Sequence, residues 1–75
     1  MSVQFGKRCK ILRQERGLTQ QQVADAVSIS LREYQKIEKG EIAPGSEIFL
    51  RLVFFLGVDI ERYRQDLLSQ TSDTL

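Results

Sequence analysis

Thr19-Gln20-Gln21-Gln22-Val23-Ala24-Asp25-Ala26-Val27-Ser28-Ile29-Ser30-Leu31-Arg32-Glu33-Tyr34-Gln35-Lys36-Ile37-Glu38 is the stretch that decides the fold. Each half opens on a helix-start signature, Thr19 with Gln22 three residues on and Ser30 with Glu33 three residues on. In such a capping box the hydroxyl accepts from an orphan backbone N–H, and the Gln or Glu side chain accepts from the N–H of the cap itself. The two signals stand eleven residues apart, which leaves room for a helix of about two turns and a short connection. The second helix puts Leu31, Tyr34 and Ile37 on one side and polar side chains suited to base edges on the other.

That is helix-turn-helix spacing. Upstream, Phe5, Cys9 and Leu12 make a helical stripe within residues 3–16, which Gly17 ends, with Leu18 under the turn. Val23, Ala24 and Val27 face inward from the second helix, Ser28-Ile29 forms the turn, and Gly40 closes the third. Residues 39–46 form the longest loop, holding the only proline. Gly45 or Ser46 caps a fourth helix to about Leu56, and Asp59 caps a fifth to about Leu68. The expectation is all-α: a compact five-helix domain over residues 1–68 and a flexible tail, 69–75.

Composition narrows the function. The 75 residues suit one small domain. No apolar run approaches the roughly 18–20 residues of a membrane span, and no secretion signal is visible, so a cytoplasmic protein with no membrane partner is expected. A lone cysteine excludes an internal disulfide and fits a reducing compartment. Histidine is absent, which removes the usual partner in zinc sites and nucleophilic triads. No catalytic residue, metal or cofactor is expected. Net charge is +1 but unevenly spread: residues 1–40 carry eight Lys/Arg against four acids, and residues 41–75 three against six. A basic front half suits a protein that faces phosphate with one end.

The ordered set Leu12-Arg13, Gly17-Leu18-Thr19-Gln20, Val23-Ala24, Tyr34 through Gly40, Pro44 and Leu56-Gly57-Val58 resembles the lambda-repressor-like helix-turn-helix family of Xre/Cro type. The resemblance runs from Gly6 to Gly57 and implies sequence-specific binding of double-stranded DNA, usually as a dimer on a two-fold operator. It implies a salt bridge between Arg13 and Glu38, and phosphate contacts from Gln20 and Lys39, with Lys10 on the basic first helix. Leu31, Arg32, Glu33, Gln35 and Lys36 match the exposed start and outer face of the recognition helix. Among them Arg32 best suits a two-bond contact to guanine O6 and N7, and Lys36 suits guanine or phosphate. Leu31 suits a thymine methyl, and Gln35 reads adenine or braces the backbone. Glu33 either accepts from cytosine N4 or is occupied by the capping box, the second being favoured. Glu41 and Glu47 bring acid to the loop and fourth helix, against further phosphate contacts there. Ser28 stands where the family usually has glycine, and Tyr34 where it usually has Ile or Val, so its hydroxyl needs a partner or a route to the surface. Cys9 reads as a buried, inert thiol.

In the same frame Phe49, Leu52, Val53 and Leu56 turn inward, leaving Ile48, Leu50, Phe54 and Phe55 for the outside or for packing on the fifth helix. So much apolar surface is unusual on a small monomer. With Tyr63 and Leu67 it is expected to form a homodimer interface. The expected function is a DNA-binding transcriptional regulator, acting as a repressor. Its rivals are an antitoxin or other protein-interaction module that holds a protein partner on the same scaffold, and the DNA-binding half of a longer regulator.

Overall fold

A computed structural model describes residues 2–63. They form α1 (Ser2–Glu15), α2 (Gln20–Ala26), α3 (Leu31–Lys39), α4 (Ser46–Leu56) and a closing 3₁₀-helix (Ile60–Tyr63), with no strand among the described residues. The fifth α-helix expected from the sequence is thus corrected to a 3₁₀ turn. Asp59 does start it, its carboxylate accepting from the Glu61 N–H at 3.0 Å, but so short a reach favours a tight turn. The rest of that expected helix and the tail lie outside the described residues.

Both start signals act, in different degrees. At α2 the box is complete: Thr19 Oγ1 accepts from the Gln22 N–H at 3.0 Å, and Gln22 Oε1 from the Thr19 N–H at 2.8 Å. At α3 Ser30 Oγ accepts from the Glu33 N–H at 3.0 Å, but the return bond is missing, so the Glu33 carboxylate is not taken up by the cap. Between the helices Ser28 holds φ at +62°, the left-handed conformation that the turn demands.

Phe5 and Cys9 from α1, Val23, Ala24 and Val27 from α2 and its cap, Tyr34 and Ile37 from α3, and Leu52, Val53 and Leu56 from α4 are buried together. The Phe5 and Phe49 rings tilt against each other with centroids 4.7 Å apart. Gly6 sets the spacing of α1 on α3. A Cβ there would stand 2.1 Å from the Ile37 carbonyl oxygen and 2.8 Å from that of Glu38, so the backbones can touch only at glycine. Leu31, expected at the exposed start of α3, is half-buried there, and one side chain of α4 departs from expectation. Ile48, expected outside or on the fifth helix, packs against the core because it lies four residues before Leu52 and shares its face.

Candidate nucleic-acid interface

The inner side of α3 is tied to α1 and α2 through one carboxylate. Glu38 accepts from Arg13 Nε at 2.7 Å on one oxygen, and from Arg13 Nη2 at 3.2 Å and Gln20 Nε2 at 3.0 Å on the other. The Arg13–Glu38 pair expected from the sequence is therefore present, bidentate, with side-chain exposures of 12% and 3%. Arg13 Nη1 also donates to the Leu18 carbonyl at 3.0 Å, which holds the α1–α2 turn. Gln35 Nε2 donates to Gln20 Oε1 at 3.2 Å, extending the chain of bonds along α3.

Burial by itself would raise the Glu38 pKa, but the bonds from Arg13, and from Gln20 beside it, outweigh it and hold the carboxyl below the ordinary glutamate value. Tyr34 is fully buried close to this carboxylate, its hydroxyl without a hydrogen-bond partner of good geometry; burial, then Glu38, push its pKa up. Cys9 is buried as expected, and its thiol is likewise pushed up to about 12 by burial, then by Glu38, which keeps it neutral.

The outer side of α3 has the opposite character. Arg32 is exposed and Lys36 half-exposed, and neither has an ion pair or hydrogen bond among the described residues. Together with Ser30, Glu33 and Ile42 they line an open cleft of about 210 Å³. Leu31 is half-buried and does not line this cleft, and Lys39 is exposed one turn beyond Gln35. Lys10 is exposed on α1. Of the residues singled out from the sequence, the fold brings Arg32, Glu33 and Lys36 together on one open surface, while Gln20 and Gln35 bind each other at the back of it. Gln20 keeps a second amide N–H for another acceptor.

Three interactions had no clear signal in the sequence. Arg16 donates to the Phe55 carbonyl at 3.2 Å and Arg51 to the Val27 carbonyl at 3.2 Å, so these cations close helix ends at α4 and α2, as Arg13 closes the first turn. Two of the positive charges in the basic front half, Arg13 and Arg16, are thus structural. Ile42 was the third; its only trace was one large aliphatic residue in an otherwise polar or small loop.

On α4, Phe54 is 81% exposed, and Leu50, one turn before it, and Phe55 are also exposed. Ile60 adds to the exposed apolar surface. The side chain of Tyr63, and Leu67, lie outside the described residues. No described helix is long and apolar enough to cross a membrane, and no group of acidic or cysteine side chains among the described residues could hold a metal ion. A family model described as helix-turn-helix matches residues 10–63. Neither the curated proteins nor the solved structures yield a match to the chain.

Proposed function

The chain belongs to the Xre/lambda-repressor-like helix-turn-helix family, and we propose that it reads DNA sequence through the outer side of α3. That family consists of DNA-binding regulatory domains and is not typically enzymatic. The protein is a cytoplasmic transcriptional repressor that occupies a palindromic operator as a dimer. The observation that carries this reading is the division of α3: its inner side is locked by Glu38, while Arg32 and Lys36 stand free on the other.

Arg32 donates to a guanine edge, and Lys36 to guanine or phosphate. Leu31 touches a thymine methyl, and Glu33, released from the cap, accepts from cytosine N4. Gln35 braces Gln20 rather than reading a base, and Gln20 offers its remaining N–H to phosphate. Lys10 and Lys39 add sequence-independent attraction. Leu50, Phe54 and Phe55 join two copies, which sets the reading helices about 34 Å apart, one turn of DNA. Ile48 contributes from its half-buried position at the edge of that patch.

Selection from random duplexes tests the reading. The expected product is a two-fold site bound at least ~10³-fold tighter than bulk DNA; equal competition by genomic fragments would end it. For the dimer, Phe54→Asp should give a monomer in sedimentation equilibrium and change the stability of the protomer by no more than about 0.5 kcal/mol. A wild-type chain that sediments as a monomer at high concentration would remove the dimer.

A further inference from the structure

We propose that Ile42, outside the reading helix, determines specificity by forming the apolar wall of a seat for the C5 methyl group of a pyrimidine. The inference rests on α3 being the reading element. In the major groove the C5 substituent is the one apolar feature that a base pair presents, and an aliphatic side chain is its natural complement.

Ile42 meets the geometric requirement from both sides. It packs against the core, which fixes its position, yet it is half-exposed and lines the cleft shared with Arg32, Glu33 and Lys36. The loop Lys39-Gly40-Glu41-Ile42-Ala43-Pro44-Gly45-Ser46 holds no other large apolar side chain. Core packing alone would not need the residue to open onto the cationic surface. The polar members of the cleft complete the match to a pyrimidine edge. Glu33 can accept from an exocyclic amino group, while Arg32 and Lys36 can donate to a carbonyl oxygen. No ion pair between these three closes the cleft among the described residues.

Two bases carry the required methyl group. Thymine presents it beside the O4 acceptor, which suits Lys36 or Arg32. 5-Methylcytosine presents it beside the N4 donor, which suits Glu33.

The test uses the full chain on its selected duplex. Each thymine is replaced singly by deoxyuridine, and each cytosine by 5-methylcytosine. Binding is measured for the wild type, Ile42→Ala and Ile42→Val, with thermal melting to confirm folding. For the wild type, one position per half-site, besides the thymine that Leu31 touches, should show about a fourfold change on removing or adding the methyl, the equivalent of about 0.8 kcal/mol for one buried carbon. A loss at deoxyuridine identifies thymine, and a gain at 5-methylcytosine identifies the modified base. At that position Ile42→Ala should respond to neither, while its response at the Leu31 thymine is kept, and Ile42→Val, which retains part of the wall and serves if the alanine variant unfolds, should show a reduced effect. Equal responses of wild type and variants at every position would overturn the role of Ile42. The wild type's preference for the selected duplex over random DNA is read in the same titration. Preserved preference without a methyl effect removes Ile42 alone; absent preference removes the DNA reading with it.

Discussion

The two sides of α3 differ in what their polar groups do. On the inner side Glu38 and Gln35 are bonded to side chains of α1 and α2; on the outer side Arg32 and Lys36 have no partner among the described residues. The first arrangement makes the second useful. A long cation that already holds a partner must break a bond to meet a base, whereas a free cation on a loosely held helix loses orientation entropy on docking. Bonding the back of the helix and leaving its front open avoids both costs.

The comparison breaks most visibly if the inner side is cut. Glu38→Ala strands the Arg13 guanidinium in a mostly buried site and should lower unfolding free energy by about 3 kcal/mol in urea denaturation. A loss below about 0.5 kcal/mol would mean that α3 is held by packing alone. The same group should contribute to the acid limb of stability. Because its folded pKa is depressed, its contribution is complete above the unfolded value of about 4.3 and is lost as pH falls through the lower folded value. Stability should therefore decline below about pH 4.3, and Glu38→Gln should flatten that limb. Cys9 acts with the opposite sign. Its thiol is raised to about 12, so its contribution is complete below the unfolded value and is lost as pH climbs toward 12.

The frame of the domain was legible because its signals are local. Thr19 and Ser30 fix two helix starts from a few residues each, and Gly40 closes α3 with φ at +77°. The Arg13–Glu38 pair was accessible through the resemblance, since nothing in the spacing of two residues 25 apart requires contact. The sequence was silent where the outcome depends on the path of a long side chain through space. Whether Glu33 returns to its cap, or Gln35 turns toward Gln20, depends on rotamers chosen by neighbours from other helices. Arg16 and Arg51 illustrate the same limit, because a count of positive charges cannot distinguish a cation that caps a distant carbonyl from one that faces solvent. Ile48 was misplaced for a different reason: α4 is apolar nearly all round, so periodicity alone did not select its buried face.

A smaller effect sharpens the account of the turn between the two helices. Ser28 holds a positive φ that costs a side chain with a Cβ, and it is exposed. Ser28→Gly should stabilise the protein by about 0.5–1 kcal/mol in the same denaturation experiment, with DNA discrimination unchanged. Destabilisation would show that the serine side chain supports the turn.

The most direct test of the division of α3 is the affinity of Arg32→Ala for the selected duplex and for random DNA at one salt concentration. The expected loss is about 1–3 kcal/mol on the selected duplex, with relaxed preference at one base pair and little change on random DNA. Equal weakening on both would make Arg32 a general phosphate contact and contradict the claim that the outer side of α3 reads sequence.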